Sequence, residues 1–453
     1  MLRRTFMAAG GAAAAAGALA QPAGRPNILL ILADDLGYGN LGCYGSREIQ
    51  TPVLDRMAGE GTRFTQAYAG STVCAPSRCC LMTGMHTGHA KIRGNGNREL
   101  ALGPGDPTIT ELLKGAGYRT GLFGKWSLGG LGTSGYPTKK GFDEWFGFFS
   151  QGHAHNYYPE MLLDNDHEVM LRGNSGTQRK DYAHDVILER CLRFLDKRGS
   201  QPFFCKLALT IPHANNEMGR DAGNGMEVPD TAPYTMRDWP APDKAFAAMI
   251  TRMDKGIGQA MELLRASGRL DNTLILFSSD NGPHKEGGHN PEFFDDNGPF
   301  RGIKRDLYEG GIRVPAIVRW PGKVPAGVVS EQVWAHWDVP PTLASAAGVT
   351  GPAGIDGIDM LPAWTGRGSQ QPHGPLYWEF HERGFQQAVR FDGWKAIRTR
   401  MGQHVELYDL SSDAGERKNV AASNPSEARR AEQLMESMRK DTPDWPVRAQ
   451  AAG

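Results

Sequence analysis

The amino-acid sequence predicts an α/β fold: a large, mostly parallel sheet sandwiched by helices, with a smaller C-terminal α+β subdomain. Two observations carry this. Continuous apolar runs, the mark of strands buried on both faces, alternate with helical patterns up to about residue 365, as in a doubly wound sheet. Beyond the Gly/Pro/Gln-rich segment Thr365–Pro375 the chain turns to short strand-like pieces and a helical tail. The expected division is a main domain over 21–365 and a subdomain over 366–453.

Taken in order, Met1-Leu2-Arg3-Arg4-Thr5-Phe6 leads into an Ala/Gly-rich apolar run ending Ala18-Leu19-Ala20. Paired arginines before such a run read as a cleaved, twin-arginine-like export signal over residues 1–20. The run is short and followed by Pro22 and Pro26, so an exported protein, periplasmic or secreted, is expected rather than an anchored one. Asn27–Ala33 is the first buried strand and ends in Asp34-Asp35. Some 40 residues on comes Cys74-Ala75-Pro76-Ser77-Arg78. Proline argues against a helix interior there, and an arginine beside a thiol reads as a lowered thiol pKa next to an anion receptor.

Thr108–Ala116 reads as a helix ended by Gly117, and Tyr118–Phe123 as a strand running into Gly124-Lys125-Trp126. The helix Asp185–Leu195 precedes the strand Pro202–Thr210, which leads to Pro212-His213. The helix Asp243–Ser267 precedes the strand Thr273–Ser279, which again ends in acid, Asp280-Asn281. A further strand is expected over Arg313–Trp320. In the subdomain the expected strands are Leu376–Phe380, Gln387–Phe391, Trp394–Arg398 and Val405–Asp409, with a helix from Pro425 to about Lys440.

Composition excludes some partners. Lys+Arg and Asp+Glu both number 50, so no charge excess points to nucleic acid or an anionic membrane. Removing residues 1–20 leaves 48 against 50, a formal charge of −2. Six cysteines, at 43, 74, 79, 80, 191 and 205, are too few for a disulfide scaffold. Cys191 and Cys205 read as buried thiols.

Asp34-Asp35 and Asp280-Asn281 both follow buried strands. They supply three carboxylates and one amide oxygen, a hard donor set suited to Ca²⁺ or Mg²⁺ and lacking the His and Cys of a zinc site. One such pair alone reads equally well as a cap or turn. Two pairs at strand ends, where open α/β sheets bind ligands, read as a site. Arg78, Lys125, His213 and Lys304 each sit beside glycine, proline or a strand end. They are candidates to converge on one anion, which spacing alone does not decide.

With these pieces in place the chain resembles the type I, formylglycine-dependent sulfatases of the alkaline-phosphatase-like superfamily, bacterial carbohydrate sulfatases and arylsulfatases among them. The matching pieces are Asn27 to Gly39, Cys74 to Arg78, Thr83-Gly84, Gly121 to Trp126, Pro212-His213, Ser279 to Gly282, Arg301 to Lys304 and Tyr308 to Pro315. They run in family order from about residue 26 to 365, and the likeness continues at Glu406–Leu410 and Asn419. The resemblance implies that Cys74 is matured to formylglycine, held as its hydrate, by a formylglycine-generating enzyme. It implies Ca²⁺ on Asp34, Asp35, Asp280 and Asn281, sulfate on Lys125 and Lys304, Arg78 holding the formylglycine, and His213 protonating the leaving alcohol. Such cations offset the repulsion met by a nucleophile approaching an anionic ester.

One position departs from the pattern. Many members carry histidine two residues after the lysine, where this chain has Ser127. Serine is a poor base, so either another group, such as a water on Asp34/Asp35 or an imidazole from His86, His89, His153 or His155, takes over the last proton transfer, or that step is slower.

The loops Gly88–Asn95 and Gly152–Tyr158 are rich in donors and aromatics, which suits a sugar or is incidental surface polarity. On the first reading His89, Arg93, Asn95, His153 and His155 are substrate-binding candidates, and the resemblance implies a sulfated galactose or hexosamine. Two alternatives stand beside it. One is a phosphodiester or phosphonate monoester hydrolase on the same scaffold. The other is a non-catalytic sulfated-glycan-binding protein, motivated by Ser127.

Overall fold

The computed structural model describes residues 24–95 and 100–447; the leader expected over 1–20 lies outside them. The strands are β1 (Asn27–Asp34), β2 (Thr62–Phe64), β3 (Ala67–Tyr68), β4 (Arg119–Gly124), β5 (Glu144–Gly147), β6 (Met161–Asp164), β7 (His167–Met170) and β8 (Phe203–Pro212). They continue as β9 (Thr273–Ser279), β10 (Ala316–Arg319), β11 (Val328–Ser330), β12 (Trp334–Ala335), β13 (Leu376–Phe380), β14 (Gln386–Phe391), β15 (Trp394–Arg398) and β16 (Glu406–Asp409). Ten of them form one sheet in the order β11-β2-β10-β9-β1-β8-β4-β5-β6-β7.

The centre of the sheet is parallel. β1 pairs in parallel with β8 on one side and β9 on the other, and β4 pairs in parallel with β8 and β5. Every residue of β1 is buried, as its unbroken apolar run requires. Alternation along the strand divides the core into two layers. Ile28, Leu30 and Leu32 pack on the side of the helix Cys74–Thr83. Leu29, Ile31 and Ala33 pack on the side of the helices Ala183–Asp196 and Ala241–Ala266.

The helix Ile109–Gly115 starts where expected because Thr108 and Glu111 form a reciprocal capping box. Gly117, at φ 88°, turns the chain back into β4. The strand expected over Arg313–Trp320 is shorter, Ala316–Arg319, and antiparallel to β9. Glu309–Ile312 coils into a helical turn, and Pro315 cannot donate to a ladder.

The C-terminal strands form a separate four-stranded antiparallel sheet, β13-β14-β15-β16. The helix Pro425–Ser437 covers it through Ala431 and Met435, which meet Tyr377, Val389 and Leu407. Polar ties bind this sheet to the main body. Trp378 Nε1 donates to Ala69 O at 2.9 Å, and Lys395 Nζ lies 2.9 Å from Glu309 and 3.0 Å from Glu416, all fully buried. Among the described residues no helix is long and apolar enough to cross a membrane.

Candidate active site

Parallel pairing decides the location of the site. β9, β1, β8 and β4 are neighbours running the same way, so the residues that follow them emerge at one edge. In register, Ala33 faces Ser279, Asp34 faces Pro212, and Gly124 faces Ala208. Asp34, Asp35, Lys125, His213, Asp280 and Asn281 are thereby brought together although up to 247 positions separate them. Asp35 turns out of β1 at φ 62°, a conformation aspartate tolerates better than most residues. Its backbone N–H donates to Asp280 Oδ1 at 3.1 Å.

The charges alternate. Lys125 Nζ is 2.6 Å from Asp34 Oδ2, and Lys304 Nζ is 2.7 Å from Asp35 Oδ2. Arg78 donates twice to Asp280 Oδ2, at 3.0 and 2.8 Å, and once to Lys125 O. His213 Nε2 lies 3.5 Å from Asp35 Oδ2, while its Nδ1 meets Ala214 O at 2.6 Å. All are at most 3 % exposed. Burial alone would raise Asp34, but Lys125 and Arg78 outweigh it and hold that carboxyl well below the usual range. Burial, and then the charge of Asp34, push Asp280 up to about 7 despite Arg78. Burial and the nearby Lys304 hold His213 well below an ordinary imidazole.

Cys74 sits among these groups, its Sγ 3.3 Å from Asp34 Oδ1. Two expectations change here. The pentapeptide is helical: Cys74–Thr83 is one helix, with Pro76 as its third residue, where the missing N–H would have no partner in any case. The thiol is not activated by Arg78. Burial, then Asp34, raise its pKa well above normal, because the guanidinium is spent on Asp280.

The substrate candidates separate. His155 reaches the cluster, its ring stacked on His213 at 4.7 Å and 17°. His153 stacks on the half-exposed Phe149 at 4.1 Å. Asn95 abuts the nucleophile position, its Oδ1 accepting from Ala75 N at 2.9 Å. His89 instead pairs with Asp356 at 2.8 Å, stacked on His86. Gly88 N–H donates to His86 Nδ1, so the His86 proton sits on Nε2 and faces Asp356; this is a hydrogen-bonded clasp. Arg93 departs from the expectation of substrate contact. It is fully buried, 3.0 Å from Glu379 and bonded to Ala90 O and Lys440 O, and so ties the helix's outgoing loop to the C-terminal sheet. Ser127, at φ 69°, donates to Gln151 Oε1.

Sequence reasoning missed three contributors. Glu286 lies 3.4 Å from Lys304 and pairs with Arg305; burial opposes its charge, but Lys304 holds it down at about 2. Tyr157 donates to Thr210 O at 2.9 Å and to His213 O, fixing the turn that carries His213. Gln151 holds Ser127. None lies in a recognisable motif; only the position of Gln151, one residue before the loop at Gly152, offered a signal.

The donor set suits a hard divalent cation. Asp34, Asp35, Cys74 and His213 each offer an atom, all within 4.8 Å of one another. Asn281 Nδ2 donates to Asp35 Oδ1 at 2.7 Å, yet its own Oδ1 is buried without a hydrogen-bond partner among the described residues. A buried carbonyl oxygen beside three carboxylates is a donor set that suits such a cation.

Comparison with known proteins agrees with this geometry. Residues 26–349 match the Sulfatase family model, and residues 299–443 match that of the N-sulphoglucosamine sulphohydrolase C-terminal region. The chain is 35 % identical to the N-acetylgalactosamine-6-sulfatase of Sus scrofa over 77 % of its length and 67 % of that protein's. It is 28 % identical to the N-acetylgalactosamine-6-O-sulfatase of Bacteroides thetaiotaomicron over 92 % of its length and 93 % of the other's. The solved structure of Ps i-CgsB in complex with k-i-k-neocarrahexaose superposes with a TM-score of 0.81 at 30 % identity, covering 94 % of this chain and 95 % of that one. Since the family match spans every strand end that contributes an acid or a cation here, the chain belongs to the sulfatase family and is a sulfuric ester hydrolase.

Proposed function

We infer that the enzyme is exported and cleaves sulfate monoesters of carbohydrates of galactose or hexosamine type, with Cys74 matured to formylglycine and Ca²⁺ held by Asp34, Asp35, Asp280 and Asn281. One observation carries this reading. Cys74 lies buried against Asp34, its thiol pushed up in pKa, inside a ring of cations built for an anion. A thiol in that state is a poor nucleophile, whereas a maturation enzyme can convert it to an oxygen nucleophile. Ca²⁺ would supply Lewis-acid charge at the same carboxylates.

The chain's own residues do the rest. Lys125, paired with Asp34, and Lys304, paired with Asp35, receive the ester's anionic oxygens. Arg78, fixed by two bonds to Asp280 and one to Lys125 O, holds the helix start that carries residue 74. His213 keeps its Nδ1 proton on Ala214 O, so Nε2 is the atom that takes up and delivers a proton to the leaving oxygen. A bound anionic ester counters the Lys304 charge that holds this imidazole low, and so favours the proton there.

The carbohydrate assignment is supported by the named substrates of the relatives and by polar and aromatic side chains near the site: Asn95, Phe149 and Gln151, which line one cavity with Ala75, and His155, stacked on His213. The test is co-expression with a formylglycine-generating enzyme, peptide mass spectrometry at Cys74, and a panel of defined sulfated mono- and disaccharides. An aldehyde at position 74 with sulfate release is expected. An unmodified cysteine without release from any sugar would favour a glycan-binding protein, and faster cleavage of phosphodiesters would favour the other hydrolase.

A further inference from the structure

The segment Gly152–Tyr158 grips the residue that follows β8 at two points. His155 N–H donates to Gly152 O at 3.1 Å, closing the short turn His153–His155, and Ala154 is buried in the core beneath it. Anchored in this way, residues 155 and 157 both meet His213. Tyr157 takes the backbone, donating its hydroxyl to Thr210 O at 2.9 Å and to His213 O. His155 takes the side chain: the two imidazoles stack with centroids 4.7 Å apart and planes 17° from parallel. The His284 ring lies farther off, at 6.1 Å and tilted by 40°, and its Nε2 is occupied with Pro212 O.

The stack is itself oriented. His155 Nδ1 lies 3.3 Å from Glu217 Oε2, and a carboxylate only accepts, so Nδ1 carries the proton and that edge of the ring is held on Glu217. Burial, and after it the charge of Lys125, hold His155 below an ordinary imidazole against the pull of Glu217, so it is neutral at neutral pH. The difference matters to its neighbour. A neutral aromatic face attracts a cation stacked on it, whereas a second cation there would repel. His213 has to carry a proton on Nε2 where burial and Lys304 oppose its charge. Its Nδ1 bond to Ala214 O pins one edge of the ring, and a stack pins the plane.

We propose that His155 is a positioning residue for the proton donor His213: it fixes the plane of that ring and offers a neutral π-face to the imidazolium, with Glu217 setting its own orientation. The proposal rests on the reading of His213 given above and deepens it. No proton passes through His155; its Nδ1 proton stays on the Glu217 side, and transfer to the leaving oxygen belongs to His213 alone. A structural role would slow all substrates alike. A role exercised through the proton donor depends on the leaving group, because a sugar alkoxide needs a proton as it departs and 4-nitrophenolate does not.

The test compares kcat/KM of the matured full-length enzyme on the sugar sulfate it cleaves fastest and on 4-nitrophenyl sulfate. His213→Ala should lower the sugar-to-aryl ratio by roughly 100-fold or more. His155→Ala should lower it by roughly 3–30-fold, the range of a cation held over an aromatic face, and through kcat more than KM. His155→Phe keeps the face and loses only the bond to Glu217, so it should restore most of the ratio. A ratio that falls in His213→Ala but not in His155→Ala, or that His155→Phe fails to restore, would overturn the role of His155 and leave the proton donor standing. A ratio unmoved in both alanine variants would remove the proton-donor reading itself, and the proposal with it. A second measurement needs neither maturation nor turnover. In proton NMR of the unmatured protein the His213 ring signals should carry a ring-current shift, move in His155→Ala and stay near their wild-type positions in His155→Phe. Signals identical in the wild type and His155→Ala would show that the two rings do not stack in solution, and the proposal would fall.

Discussion

Lys395→Met removes the cation between two buried carboxylates. Glu309 keeps Arg313 at 3.1 Å, but among the described residues Glu416 has no other ion-pair partner. Breaking a buried ion pair from one side typically costs about 3–5 kcal/mol, because the remaining charge is left in a low dielectric. At roughly 2.1 cal/mol/K of unfolding entropy per residue, 453 residues give ~1 kcal/mol/K, so Tm should fall by ~3–5 °C. The loss should depend on pH in a definite direction. Burial, against the opposing charge of Lys395, leaves Glu416 raised to about 7 in the folded protein, above its ordinary 4.5. The folded state therefore binds more protons than the unfolded one between those values, and this group's contribution to stability falls as pH rises through that window. Without Lys395 the folded pKa climbs further, so the variant takes up its proton at higher pH than the wild type. Between about pH 8.5 and 7 the deficit should shrink by ~2 kcal/mol, at 1.36 kcal/mol per pH unit. Scanning calorimetry of both proteins at the two pH values reads this directly. A variant within about 1 °C of wild type at pH 8.5, or a deficit equal at both pH values, would refute this role for Lys395.

Calcium should raise the wild-type Tm with concentration, by ~2.7 kcal/mol of stability at 100 times Kd, and Asn281→Ala should lose most of that response. A wild-type melting curve indifferent to calcium and chelator would remove the metal from the reading. Ser127→His suits the backbone, since histidine is tolerated at positive φ. It should speed turnover of the matured enzyme, and an unchanged kcat would retire the idea that Ser127 slows the last step. His289 bridges Asp243 at 2.7 Å and Asp296 at 2.6 Å, and these partners, outweighing burial, raise its pKa. Its stabilisation is present below the unfolded histidine pKa and is lost as pH rises through the folded one. His289→Gln should therefore lower Tm clearly near pH 6 and little near pH 9; a pH-independent loss would sink the assignment.

Much of this was legible in the residues. The run Asn27–Asp34 carries the signature of a strand buried on both faces, and it lies between two parallel partners. The acids at 34, 35 and 280 stand where such strands end, and the cations at 78, 125 and 304 pair with them. Other placements were not legible. Arg93 follows a motif and carries a charge, as a ligand contact would, yet its partner Glu379 comes from a strand 286 positions away in another sheet. Burial and Asp34 raise the thiol at 74, because a neighbour in sequence such as Arg78 counts for less than the carboxylate that folding sets against it.

Local patterning determined the elements, the strand ends that carry acid, and the family membership, because these depend on periodicity and motif order within short windows. Only the tertiary structure decided which charges meet. Pairing β9-β1-β8-β4 in parallel is a property of the whole chain and sets Asp34 against Lys125, and packing the helix Cys74–Thr83 on that sheet sets Arg78 against Asp280. The free energy of each buried charge is fixed by those partners and by the loss of water around it. Neither quantity exists until distant segments share one edge of the sheet.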